Sequence, residues 1–475
     1  MRVDVPAEGA QGPPPQDPGT EPSLAPGVAP DPETGSAPDP ETGSAPGAAR
    51  RADFPRELWL GVWLLVVFAA THAVLIYQSL GPGASGSSDV WLYAWWVQQG
   101  VVQGGWVGID AAWVYPVGAL APIAAAAVMG TGTAYLSTWC LMIALLNLAT
   151  GTVVVARFGI ERAAAPLTCW FVFLMLLGPC GIARLDAVMM PLVLIALTLG
   201  VSRPAFASVL LTCGAWIKVA AGAALIVLFG LVKGWRRLTH VVLPAAATCL
   251  AVVGLQLAAG GQWRFLTSFV EAESDRGLQV EAVLATPVVL AHVFRGEQLW
   301  DWNDTLSTAE TWGPGADLAV RISDIAMPVM ALAVGLLAWL ARRRPGAALL
   351  VGSLAMMSGL IVTHKVGSPQ FVAWLAPAAV VALCFGRRLR FWLPVSGALL
   401  LAAALTGWLF PWRYVAFLEA DSLMLTVWVV RNLLVVAVFV ACVVELARLR
   451  RRPAEAADGS EVVAGPVGED RASRR

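Results

Sequence analysis

Residues 58–96 read LWLGVWLLVVFAATHAVLIYQSLGPGASGSSDVWLYAWW, and two features of this stretch decide the class of the chain. Leu58 to Tyr77 are almost wholly apolar, the ~20 residues that a helix needs to cross the hydrocarbon of a bilayer. A Gly/Ser-rich connection then delivers one carboxylate, Asp89, among Trp91, Tyr93, Trp95 and Trp96. A carboxylate at the start of a loop beside a membrane can take a proton from an incoming hydroxyl. It can equally cap the helix expected from Val90, as Ser88 could. The aromatic residues fit an interfacial belt, or one of them stacks on a sugar.

Apolar runs of similar kind recur at about 135–156, 164–181, 184–201, 205–218, 219–232, 240–259, 321–342, 346–363, 369–386, 391–410 and 422–447. Of the 475 residues 58% are hydrophobic and 13% charged. A soluble domain carries about 25% charged residues, so that class is excluded. The expected fold is an all-α polytopic membrane protein, a bundle of about twelve transmembrane helices with interfacial helices on the outer face. Val117–Met129 is apolar but short, and reads as interfacial or re-entrant. The two runs flanking Lys218 are also short and form a hairpin that does not fully cross.

Basic residues fall on one side of this arrangement: Arg50, Arg51 and Arg56; Arg157 and Arg162; Arg203; Lys233, Arg236 and Arg237; Arg342 to Arg344; Arg387, Arg388 and Arg390; Arg448 and Arg450 to Arg452. The positive-inside rule then puts both termini in the cytoplasm and the two longest loops, 80–134 and 260–320, outside, in a plasma membrane. Residues 1–55 hold the octapeptide DPETGSAP twice in tandem, at 31–38 and 39–46. Such a composition buries no core and reads as a disordered cytoplasmic tail; residues 451–475 read likewise. The transmembrane domain is 56–450. Seven cysteines lie in or beside apolar runs with no C-x-x-C pair, and read as small packing residues.

The polar residues that could carry chemistry gather at the outer ends of the apolar runs. Thr363-His364-Lys365-Val366-Gly367-Ser368-Pro369-Gln370 breaks two runs; a histidine and lysine there suit a phosphate, or the lysine snorkels to headgroups. Arg184 and Asp186 follow Gly178-Pro179 and form an ion pair between helices or an anion contact. Lys218, costly inside a membrane, marks function by default. Arg276, Glu281, Arg431 and Asn432 are further outward candidates, and Asp110 reads as solvated. His72, His240 and His292 are isolated and carry no assigned role. No P-loop, Rossmann fingerprint, H-E-x-x-H or G-x-S-x-G motif is present, nor a clear metal-ligand spacing. With no nucleotide-binding loop facing the cytoplasm, an activated substrate is expected from the lipid phase, with no cofactor and no nucleic acid.

Taken together, Asp89 with Tyr93, Tyr115-Pro116 through Pro122, Arg184-Leu185-Asp186, Ile217-Lys218, Arg276 through Glu281, His364 through Gln370 and Arg431-Asn432 resemble glycosyltransferase family 87. This family has the GT-C fold and includes the mycobacterial phosphatidylinositol-mannoside mannosyltransferases. The resemblance spans residues 57–450, and its most specific part is the Lys365 to Gln370 stretch followed by Trp374 and Pro377. It implies a polyprenyl-phosphate-sugar donor, typically a mannose donor, a lipid or cell-envelope glycan acceptor, and Asp89 as general base of an inverting transfer. It implies that His364, Lys365, Lys218, Arg184 and Arg276 face the donor phosphate, and that Tyr93, Trp96, Tyr115, Gln279, Ser368 and Gln370 line the substrate site. Many GT-C enzymes have two acids at the start of this loop; here Asp89 stands as a single acid beside Val90, so no metal is expected. A multi-pass transporter or flippase for a lipid-linked or anionic substrate is the rival class, and a lipid-binding structural protein a further one.

Overall fold

The computed structural model describes residues 55–80, 88–304 and 308–451, with the backbone alone at Ser88. The readings of the two tails fall on 1–54 and 452–475, outside the described residues.

Among the described residues, eight helices are long and apolar enough to cross a membrane: Arg56–Leu80, Thr133–Phe158, Ile160–Gly181, Trp235–Ala258, Pro314–Leu340, Pro345–Thr363, Leu389–Leu409 and Ser422–Arg451. This is the architecture of a multi-pass membrane protein. The other four expected runs are helices too, but shorter: Asp186–Ser202, Pro204–Ile217, Ala221–Leu231 and Pro369–Phe385. At ~1.5 Å per residue they are shorter than a ~30 Å hydrocarbon core, so among the described residues eight of the twelve expected runs have full spanning length. The punctuation is local: Gly178-Pro179 ends one helix in a tight turn, and Lys218 stands extended between two more. Val117–Met129 is a broken apolar helix with a 3-10 turn at each end, too short to span.

Apolar composition alone does not say which helices are central. Pro345–Thr363 is 72% buried along its most apolar window and Trp235–Ala258 only 11%, so the first runs through the middle and the second along the edge. Short connections make successive helices antiparallel neighbours, and their turns therefore alternate between two ends. The basic turns near Arg157, Arg203, Lys233, Arg342 and Arg387 fall at one end. The breaks at 178–185, 218–220 and 364–370, and the 88–132 and 259–313 connections, fall at the other.

The 259–313 connection is not structureless. It holds helices Ser268–Ser274 and Thr286–Arg295 and three strands, β1 (Leu278–Gln279), β2 (Asp301–Asn303) and β3 (Thr308–Thr311). They pair antiparallel in the order β1-β3-β2, with Gln279 opposite Glu310 and Trp302 opposite Ala309. These short strands sit within an otherwise helical, all-α membrane protein, as expected; strands of two to four residues are too short to print a period-two pattern in the sequence. A second apolar core, separate from that of the bundle, holds this region down. Leu278, Val280, Val289 and Ala309 pack with Phe417, Leu425 and Trp428.

Candidate functional site

The helix Ser88–Gln103 opens at Ser88, two residues before Val90, so Asp89 lies in its first turn. A negative charge there complements the helix dipole. Its carboxylate meets Arg184 Nε at 3.1 Å. Arg184 is 5% exposed and Asp89 29% exposed, so the cation is fixed by the interior and the acid stays reachable from solvent.

The turn carrying Arg184 is held from the same helix, because Leu185 N–H donates to the Tyr93 hydroxyl at 3.3 Å. Tyr93 packs on Trp96 at 5.8 Å and on Trp139 at 5.1 Å. Trp96 in turn meets Trp113 and Tyr115 edge-on. Helical periodicity splits the aromatic run in two: Trp91 and Trp95 are exposed, while Tyr93 and Trp96 are core. Tyr93 and Trp96, expected at the substrate, are both buried here, and Tyr93 supports the turn through its hydroxyl. Tyr115 is half-buried. Burial first, then the charge of Asp89, pushes its hydroxyl well above the usual tyrosine range, so it stays protonated.

Asp186 does not pair with Arg184 but with Lys218, at 2.7 Å. Trp374 Nε1–H donates to the other Asp186 oxygen. The Lys218 ammonium also lies over the Phe371 and Trp374 rings, at 4.8 and 5.8 Å. Gly118 explains how the lysine is placed, since a Cβ there would stand 2.8 Å from the Trp216 carbonyl oxygen. The broken helix Val117–Met129 therefore lies backbone-close against the helix that ends at Ile217.

The break after Thr363 is stitched to the outer connection. Gly367 N–H donates to Gln279 Oε1 and Gln279 N–H to the Lys365 carbonyl, both at 3.0 Å. Arg431 reaches the carbonyls of Glu281 and Gly367 at 3.2 and 3.4 Å. Trp428 donates to the same Glu281 carbonyl, and Tyr414 O–H to the Glu281 carboxylate. Gln279, expected at the substrate, is instead a buried clasp whose side-chain oxygen is committed to backbone. Arg431 and Glu281 serve that clasp as well. Ser368 is half-buried and Gln370 buried in the 3-10 turn that follows.

Above this clasp lies a second group of charges. Lys365 Nζ donates to the Ser274 carbonyl at 2.9 Å and stands 3.6 Å from Asp324. Arg276 Nε is 3.2 Å from Glu273, and His364 Nε2 is 3.6 Å from the other Glu273 oxygen. Burial, then the positive charges of Arg276, Lys365 and Lys218, push the His364 imidazole down to about 4. It is neutral at neutral pH. Val366 N–H donates to its Nδ1 at 2.9 Å, which leaves Nε2 as the N–H donor. His364 therefore stands beside these cations as a neutral donor. Burial first pushes the Glu273 carboxyl above the usual range, against the pull of Arg276 and Lys365.

The two groups are one neighbourhood. Charges on Asp89, Asp186, Arg184 and Arg276 all act on the Tyr115 hydroxyl, and Lys218 acts on His364 and Glu273. Asp89, Arg184, Lys218, Arg276, His364 and Lys365 are thus brought together from five chain segments. Asp110 lies outside, accepting from Trp106 N–H in a local turn. His72, His240 and His292 have local partners: Phe68 and Asn147, Thr239, and Glu297 with the Trp312 carbonyl. Glu273, Asp324 and Tyr414 were not anticipated, because no spacing links isolated residues of distant segments. No family model, curated protein or solved structure matches the chain.

Proposed function

We propose that the chain is a membrane glycosyltransferase that moves a sugar, mannose in the first instance, from a polyprenyl-phosphate donor to a hydroxyl of a lipid or cell-envelope glycan. The transfer takes place at the extracytoplasmic face of the plasma membrane, with both termini in the cytoplasm. The observation that carries the reading is the partly exposed Asp89 carboxylate, braced by a buried Arg184, in the same neighbourhood as Lys218, Arg276, His364 and Lys365, each of which lies against another carboxylate. The resemblance to glycosyltransferase family 87 supports the same chemistry through the same residues.

In this reading Asp89 accepts the proton of the acceptor hydroxyl as that oxygen bonds to the sugar C1. The bond from C1 to the phosphate oxygen breaks, and its electron pair leaves with the lipid phosphate. One displacement inverts the anomeric centre. Charge grows on the departing phosphate, where fixed cations lower the barrier most. Arg276 and Lys365 supply it, and the neutral His364 adds a donor. Arg184 turns the Asp89 carboxylate without covering it.

Purified protein in bilayer nanodiscs, given radiolabelled polyprenyl-phospho-mannose and a lipid extract, should transfer label to lipid. Asp89→Asn should abolish the transfer, and Lys365→Ala should raise the donor KM more than the acceptor KM. Full turnover by the Asp89 variant would sink the reading. The four short helices and their charged breaks favour one rival, since interrupted helices also build transport sites. Uptake or scrambling of the lipid phosphate by proteoliposomes, without sugar transfer, would select a transporter or flippase.

A further inference from the structure

Among the described residues of this neighbourhood, the cations Arg184, Lys218, Arg276 and Lys365 face the carboxylates of Asp89, Asp186, Glu273 and Asp324. With His364 neutral, the site is charge-balanced before any ligand enters. An anionic donor added to it would bring an uncompensated charge into a partly buried region, which is costly. One resident carboxylate has to give way.

The geometry singles out which. Asp186 is 1% exposed and doubly bonded, by Lys218 and Trp374. Asp89 is anchored to Arg184. Asp324 is the more exposed, at 60%, but it is fixed in the long helix Pro314–Leu340 and touches Lys365 alone of the cations. Glu273 is 40% exposed and belongs to a two-turn helix of the outer connection, Ser268–Ser274. It touches two of the phosphate-facing candidates, Arg276 and His364. It also fits them poorly. Glu273 Oε1 and Arg276 Nε are buried, yet neither has a hydrogen-bond partner. The next residue's carbonyl caps Lys365. The C-terminal end of this helix therefore rests on the cations as a phosphate would, but with too few oxygens to satisfy them.

We propose that Glu273 is a displaceable counter-ion: its carboxylate holds the seat of the donor phosphate, and its withdrawal hands Arg276 and the His364 Nε2–H to that phosphate. This rests on reading the neighbourhood as an anion-accepting one. A phosphodiester exchanges one charge for one charge and brings the extra oxygens that the buried donors lack. The displacement costs affinity for the resting protein. It also keeps adventitious anions off the seat.

The test measures binding and turnover separately, in the full chain in nanodiscs. The probe is a short-chain isoprenyl phosphodiester, whose single charge does not titrate where the carboxyl does. Glu273→Gln should bind it about tenfold tighter than the natural chain, Glu273→Asp should not, and both should melt cooperatively. Natural-chain affinity should strengthen as pH falls and Glu273 takes up its proton, whereas Glu273→Gln should show no such trend. In turnover, Glu273→Gln should lower the donor KM without raising kcat. Unchanged or weaker probe binding by Glu273→Gln would make Glu273 a mere structural ion pair and overturn the proposal. Tighter binding without any sugar transfer would keep the counter-ion and remove the transferase. Transfer with unaltered binding would do the reverse.

Discussion

Arg184 Nε stands 3.1 Å from Asp89 Oδ2, and the cation is nearly buried while the acid is not. The pair makes Asp89 both a chemical group and a structural one. Removing it takes the carboxylate from a buried guanidinium that keeps its Ala183 carbonyl contact, and losing a charged hydrogen-bond partner of this kind costs about 1–3 kcal/mol. Asp89→Ala should therefore lose both transfer and thermal stability. Asp89→Asn keeps an oxygen for Arg184, and should lose transfer while melting closer to the natural protein. Parallel activity and melting curves for the two variants separate the roles. Equal destabilisation with retained transfer would reduce Asp89 to a brace.

The Asp186–Lys218 pair is the more buried of the two, at 1% and 14% exposure. Lys218→Met should destabilise by about 3 kcal/mol, because an unpaired buried carboxylate remains. The double variant Asp186→Asn with Lys218→Met should recover much of that loss, since the partners are coupled rather than additive. Denaturant titrations of the four members of the cycle give the coupling directly. Simple additivity would mean that Trp374 alone satisfies Asp186.

These pairings mark what can be read from order along the chain. Apolar length legibly placed the helices, because a bilayer demands the same run of residues from every crossing. Asp89, Lys218 and the His364-Lys365 pair were legible for the opposite reason: polar groups in apolar surroundings are costly and need an explanation. Partnership was not legible. Arg184 sits two residues from Asp186 but pairs with Asp89, because the turn that carries it points the two side chains to different helices. Glu273 stands in an acidic, exposed-looking stretch, and only the fold turns it toward Arg276 and His364. The strands of the outer connection were hidden by their brevity, and Gln279 by the fact that a clasp and a ligand contact use the same amide.

His364 makes stability depend on pH with a definite sign. Its imidazole is pushed down to about 4, against about 6.5 in an unfolded chain. Between those values the unfolded state binds more protons, so its contribution is present above pH ~6.5 and is lost as pH falls toward ~4. Glu273 acts oppositely: its carboxyl is raised by burial, so its contribution is present at low pH and lost as pH rises through the folded value. The melting temperature of the natural protein minus that of His364→Gln should therefore fall as the buffer is acidified through this window. A difference flat with pH would show that the imidazole is not buried beside these cations.

Gly367 gives the sharpest structural test. A Cβ on it would lie 2.1 Å from the Ala282 nitrogen, a backbone atom that cannot step aside. Gly367→Ala must push the 364–370 break off the outer connection, breaking the Gln279 and Arg431 contacts that hold it. Overpacking of this kind costs about 1–3 kcal/mol, or more where backbone must move. Gln279→Ala removes only the acceptor of the Gly367 N–H and should cost about 1–3 kcal/mol. If Lys365 and His364 serve the donor phosphate, Gly367→Ala should raise the donor KM far more than Gln279→Ala does. Both should leave insertion into membranes intact, because the apolar spans are untouched. Melting curves and donor titrations on both variants read these effects, and a Gly367→Ala protein with natural stability and donor KM would refute the clasp.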